Sequence, residues 1–293
     1  MPSLALAGVL GPVTTPFTAS ETPDLVGFAS NIRSHLAHGL HGIVVCGSTG
    51  EAALLDEAER TSLIETARAA VPSDRLLLMG TGAESTRQCV TRCRDAGARG
   101  ANAVLVVAPH YYGPQMTAAA LRAHYQRVAD ESPVPVVLYN IPKYMHFRLE
   151  PDLVAELSMH ENIVGIKDSS GDMALLEGYL QAQGSKFTVL TGNGGQLLPG
   201  LQLGVRGGIV AVGLFAAGLC VDVYDGFRNG DLTRATIAQD RLKPMATQIV
   251  AGLGVPGVKA AMEAVGLVGG PVRLPLLPVN ADQRKVVQDL MVA

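Results

Sequence analysis

No run of five or six like charges occurs in this chain, and its 23 basic and 26 acidic side chains leave a net charge of −3 with a pI near 6.2. That balance argues against a nucleic-acid binder, which needs a basic face. The opening stretch MPSLALAGVLGPVTTPF has no basic residue ahead of its apolar part, and no apolar run approaches the length of a membrane span. The cytoplasm is therefore the expected compartment, with a removed organellar leader left open. Cysteine is scarce, with four residues at Cys46, Cys89, Cys93 and Cys220. Only Cys89 and Cys93 are close, at helical spacing with no second pair nearby, so they read as buried reduced thiols and not as a zinc site. The seven histidines are scattered without an H-E-x-x-H or H-x-x-E-H cluster, so no metal is expected.

What the chain does have is aliphatic bulk: 48% of residues are hydrophobic and only 17% charged. Short β-rich runs recur at a steady interval, at 8–17, 42–47, 75–82, 103–109, 134–142, 162–168, 187–192 and 207–213. Most are uninterrupted rather than alternating, as expected of parallel strands buried on both faces. Helical patterns lie between them. DEAERTSLIETARAAV (56–71) places Leu63, Ile64 and Ala67 on one face with acids in its first turn. Segments 117–131 and 151–159 read similarly, the latter with Pro151 in the first turn. Eight alternations predict a (β/α)8 TIM barrel over residues 1–217, with 218–293 a C-terminal helical extension packed on it. A doubly wound open sheet is the rival, disfavoured because no G-x-G-x-x-G follows the first strand.

Barrel chemistry sits where strands end. Those ends read GSTGE (47–51), APHYYGP (108–114), LYNIP (138–142) and IKDSS (166–170). The chain has six lysines, and Lys167 alone stands at the tip of such a strand, after Ile163, Val164, Gly165 and Ile166. A desolvated amine favours its uncharged form and can add to a ketone. The bland alternative is a strand-end lysine paired with Asp168 or Glu51, and Lys259 is a weaker rival for the reactive amine. Tyr139 ends the preceding strand, where its phenol is placed to move protons for such an amine. GSTGE offers backbone amides and two hydroxyls in a turn entering a helix, a cradle suited to a small carboxylate. It is no Walker loop, since the phosphate-binding lysine is missing.

Taken together, GSTGE, YY, YNIP and GIKD after strands two, four, five and six resemble the pyruvate-dependent class I aldolases of the dihydrodipicolinate synthase and N-acetylneuraminate lyase superfamily. The resemblance spans nearly the whole chain. It implies that Lys167 forms a Schiff base with pyruvate, that Tyr139 relays protons, and that Ser48 links Tyr139 to Tyr112 supplied by a neighbouring subunit. It also implies that Thr49 binds the pyruvate carboxylate by its backbone amide, and that Gly192 and Ile209 line the bound pyruvate. No cofactor beyond the covalent lysine adduct is implied, and a homo-oligomer, dimer or tetramer, is. In the dihydrodipicolinate synthases the Tyr-Asn-x-Pro run continues Ser-Arg, whereas here Lys143 and Tyr144 follow. Several stretches, among them NIVGIKDSSGDM with Ser169 after the Lys-Asp pair, are most similar to 4-hydroxy-2-oxoglutarate aldolase, although that group has Asn where Thr49 stands. The expected reaction is thus cleavage of 4-hydroxy-2-oxoglutarate to pyruvate and glyoxylate. Dihydrodipicolinate synthesis from pyruvate and aspartate semialdehyde is the alternative, a sugar-acid lyase comes next, and a non-catalytic 2-oxo acid sensor is a further possibility.

Overall fold

In a computed structural model, which describes residues 6–292, eight parallel strands close into a barrel. They are β1 (Gly8–Pro12), β2 (Gly42–Val45), β3 (Leu76–Gly80), β4 (Ala103–Val107), β5 (Val136–Asn140), β6 (Ile163–Asp168), β7 (Thr188–Thr191) and β8 (Gly207–Ile209). Closure comes from β8 pairing with β1, Gly207 opposite Gly8 and Ile209 opposite Leu10, which excludes the open sheet. The strands are buried almost throughout. Continuous aliphatic runs are what such a position demands, because neither face meets water. Strand β1 is shorter than expected and ends at Pro12, which has no N–H for the ladder.

Helices alternate with the strands as α1 (Leu25–Ala37), α2 (Glu57–Ala70), α3 (Thr86–Ala98), α4 (Ala118–Glu131), a single turn α5 (Pro142–Met145), α6 (Pro151–Leu157), α7 (Met173–Leu180) and α8 (Leu197–Leu203). Their starts follow local chemistry. Asp56 and Glu59 form a reciprocal capping box on α2, and Ser85, Thr117 and Asp172 cap α3, α4 and α7. The face of α2 that is buried carries Leu63, Ile64 and Ala67, as its spacing requires.

After β8 come α9 (Ala217–Arg228), α10 (Leu232–Pro244), a π-helical segment (Met245–Leu253), α11 (Gly254–Ala264) and α12 (Ala281–Val292). Helix α9 packs on β1 and α8, with Tyr224 edge-on to His41 at 5.0 Å. It thus takes the place of the eighth helix of the ring. All four cysteines are free and buried. Among the described residues no helix is long and apolar enough to cross a membrane, and no three His, Cys, Asp or Glu side chains group as a metal site.

Candidate functional site

The carboxyl ends of the strands open into a cavity of about 280 Å3. Lys167 is the fifth residue of β6 and lies in register with Tyr139 of β5. Both side chains are nearly enclosed, at 5% exposure each, and the Lys167 Nζ sits 4.2 Å from the Tyr139 ring centroid. Of the two acids suggested as structural partners for Lys167, neither is free. Asp168 accepts from Asn140 Nδ2 at 2.7 Å, from Ser170 Oγ at 2.6 Å and from Ser170 N at 3.2 Å. Burial pushes the Asp168 carboxyl above the usual carboxylate range against the pull of those bonds. Glu51 pairs with Lys259 at 2.5 Å. Lys167 forms no ion pair among the described residues. Its amine is thus left to the cavity.

Room for that amine depends on Gly192, at the end of β7. A Cβ there would stand 1.9 Å from Ser169 Oγ and 2.9 Å from Lys167 Cε, so any side chain at this position would force Ser169 and Lys167 to shift. The backbone holds this close approach through Gly192 N–H donating to Asp168 O at 2.5 Å and Ser169 N–H donating to Asn140 O at 2.8 Å.

The GSTGE segment forms a 3-10 turn over Ser48–Gly50. Gly50 N–H donates to Gly47 O and Glu51 N–H to Ser48 O, while the first two amides of the turn have no backbone acceptor among the described residues. Cys46 (φ 51°) and Glu51 (φ 56°) bracket the turn in the left-handed region. Such backbone costs roughly 1–2 kcal/mol per non-glycine residue and survives only where its surroundings enforce it. Thr15 does part of this, its hydroxyl donating to Gly50 O at 2.8 Å.

The cavity brings together Lys167, Tyr139, Ser48, Thr49, Ser169, Gly192 and Ile209. Tyr112 is not among them: it is 65% exposed and stacks edge-on with Tyr111, centroids 5.0 Å apart. Its loop is held by Glu84, which accepts the amides of His110 and Tyr111. No hydrogen bond joins Ser48 to Tyr139 or Tyr112 among the described residues, so one chain alone does not assemble that relay. Lys259 is excluded as the cavity amine. It is 2% exposed, pairs with Glu51 and donates to Pro271 O at 2.7 Å; burial lowers its pKa, with Glu51 acting against that.

One wall escaped the reading of strand ends. Ala246, Val250 and Ala251 of the π-helical segment, with Gly254, Val255 and Val258 of α11, cover the mouth. Lys143, on α5, reaches across and donates to Ala251 O at 3.1 Å, beside Tyr144. The available signal was residues 249–258, an uncharged run of small and aliphatic side chains in a segment otherwise read only as extension. Among the cavity's lining residues are two lysines, Lys143 and Lys167, and no Asp or Glu. Such a lining suits an anionic occupant.

The fold has counterparts among known proteins. The model of the Dihydrodipicolinate synthetase family matches residues 5–293. The 4-hydroxy-tetrahydrodipicolinate synthase of Methanoculleus marisnigri is 36% identical over 288 residues, covering 97% of this chain and 98% of that protein. The protein of that name from Stenotrophomonas maltophilia R551-3 is 35% identical over 278 residues, 95% and 93% of the two chains. Among solved structures, dihydrodipicolinate synthase DapA-2 from Bacillus anthracis superposes with a TM-score of 0.94 at 27% identity, covering 99% of each chain. YagE, a prophage protein of the dihydrodipicolinic acid synthase family from E. coli K12, solved in complex with pyruvate, has a TM-score of 0.92 at 30% identity over 99% and 98%. The Methanoculleus, Stenotrophomonas and Bacillus proteins carry the synthase name, not that of the 4-hydroxy-2-oxoglutarate aldolase towards which the sequence leans.

Proposed function

We propose a reaction from one premise, that this chain belongs to the dihydrodipicolinate synthetase family and is a pyruvate-dependent class I aldolase. That family works through a lysine Schiff base with pyruvate, without a metal or external cofactor. Our reading is that Lys167 is the lysine and that the aldehyde is aspartate semialdehyde, giving 4-hydroxy-tetrahydrodipicolinate. The observation that carries it is the unpaired Lys167 amine over the Tyr139 ring inside an acid-free cavity. The names of relatives matched over the whole chain support the choice of aldehyde.

The unprotonated amine adds to C2 of pyruvate, and Tyr139 passes a proton to the C2 oxygen, which departs as water and leaves an iminium. The Tyr139 phenolate left by that transfer takes a proton from C3, which restores the phenol, and the C–H electrons flow into the iminium to give the enamine. C3 then attacks the aldehyde carbon, a C–C bond forms, and the new alkoxide takes a proton from Tyr139. The amino group of the former semialdehyde adds to C2 and expels the Lys167 amine, closing the ring. The amides of Ser48 and Thr49, without a backbone acceptor among the described residues, receive the pyruvate carboxylate, and Ser169 and Lys143 line the part of the cavity left to the acceptor. The Tyr139–Ser48–Tyr112 relay needs a second copy of the chain to bring Tyr112 to the mouth, and its exposed pairing with Tyr111 supports a homo-oligomer.

A second reading, cleavage of 4-hydroxy-2-oxoglutarate to pyruvate and glyoxylate, is favoured by one observation. No arginine lines the mouth among the described residues, and Lys143 there donates to Ala251 O. Incubation with pyruvate and borohydride followed by peptide mass mapping should tag Lys167; a tag elsewhere, or none, overturns the mechanism. Parallel assays with pyruvate plus aspartate semialdehyde and with 4-hydroxy-2-oxoglutarate decide the acceptor. Preference for the second substrate would replace our choice, and adduct without turnover on either would leave only a 2-oxo acid binder.

A further inference from the structure

Among the described residues, Glu51–Lys259 is the one ion pair with both partners enclosed, at 0% and 2% side-chain exposure. The reaction above uses neither. A buried pair gains little over two apolar side chains of the same size, so its presence calls for a conformational reason. Neither partner lines the cavity, but each follows residues that do. Glu51 closes the Ser48–Gly50 turn in its left-handed conformation, two residues after Thr49, and Lys259 follows Val255 and Val258 on α11, which line the wall.

The pair is also tied to a third segment. One Glu51 oxygen meets Lys259 Nζ at 2.5 Å, and the other accepts the Arg273 backbone N–H at 2.9 Å. Lys259 donates onward to Pro271 O at 2.7 Å. The Phe17 ring takes Lys259 Nζ at 4.7 Å and the Arg273 guanidinium at 4.2 Å from its centroid. Arg273 holds Leu54 O and both oxygens of Glu59, so residues 269–273 strap the second strand-to-helix loop to the C-terminal helices. Only glycine fits position 270, where φ is 69° and a Cβ would stand 2.9 Å from Phe17 O.

We propose that Glu51 and Lys259 are positioning residues, and that their buried pair fixes the Ser48–Gly50 turn against α11 and the 269–273 strap. The C-terminal segment thereby sets how tightly the turn holds a 2-oxo acid. This rests on the reading that the pyruvate carboxylate lies at that turn. Removing both charges at once with Glu51→Gln and Lys259→Met keeps side-chain length and avoids stranding one buried charge. In that double variant, half-saturation for pyruvate, read by steady-state kinetics and by borohydride trapping, should rise about tenfold. The kcat should stay within about threefold and the aldehyde KM should not move, a split that general loosening of the fold does not give.

A double variant that saturates at the wild-type pyruvate concentration overturns the inference. Should the variant not fold, the wild type still decides, because coupling is reciprocal. Trapped pyruvate should slow amide exchange in peptides covering 259–273, and unchanged exchange there overturns it equally. A wild type that traps no pyruvate refutes the reaction assigned above as well. One that traps, beside a double variant that saturates normally, refutes only the present inference.

Discussion

Lys167 and Gly192 need each other. The lysine reaches the cavity because position 192 has no side chain to block Ser169 Oγ and Lys167 Cε. Gly192→Ala should therefore cut the rate of borohydride-trapped adduct by at least about tenfold, since misplacing a reacting group costs that much or more. A trapping rate equal to wild type would mean that the neighbours yield freely. Tyr139 makes a separable contribution. Tyr139→Phe keeps the ring that lies 4.2 Å from the amine but removes the hydroxyl. Melting temperature should hardly move, whereas kcat should fall by about 10²–10⁴, the usual span for a lost proton-transfer group. Unchanged turnover would place the relay elsewhere.

At the scale of elements, the mouth is shaped by α5 and the π-helical segment, joined by the Lys143–Ala251 hydrogen bond. If the lysine reads a carboxylate on the incoming aldehyde, Lys143→Met should raise the KM for aspartate semialdehyde about tenfold or more, as loss of a charged hydrogen bond does, and leave the KM for an uncharged aldehyde near its starting value. Equal effects on both would make Lys143 a brace for the π-helical segment and nothing more. The strands and their tips were legible in the sequence because burial on both faces forces aliphatic runs that break abruptly at Lys167, Tyr139 and GSTGE. Helices were legible where Asp56, Thr117 or Pro151 mark a start. The mouth wall was not, for a physical reason. An i to i+5 ladder between Pro244 and Gly254 has no periodic signature of its own and depends on packing against distant loops. The Glu51–Lys259 pair was hidden similarly, by a separation of 208 positions between two residues that nothing in the sequence joins.

For the molecule as a whole, exposed Tyr111 and Tyr112 predict a second copy of the chain; sedimentation should find at least a dimer, and a monomer with full activity would remove Tyr112 from the relay. Acid sensitivity belongs to this scale too, because it sums over the fold. Burial lowers His35, on α1, and His124, on α4, to about 4 each, the neighbouring His38 adding to the first and Glu84 opposing the second. The unfolded chain keeps ordinary histidines near 6.5. Between those values the unfolded state binds more protons, so stability rises with pH across the window and is lost as pH falls from about 6.5 towards 4. A shift of this size is worth roughly 3 kcal/mol per histidine once both states are protonated. Glu57 and Glu59, held below their usual range by Arg92 and Arg273, lose their contribution only at the acid end of that window, and Asp168, pushed up by burial, acts in the opposite sense there. A decline in melting temperature that begins near pH 6.5 is thus a histidine effect. Scanning calorimetry from pH 7.5 to 4.5 should show it in the wild type, and a His35→Gln, His124→Gln double variant should lose most of the slope. An equal slope in both would move the acid sensitivity to the carboxylates.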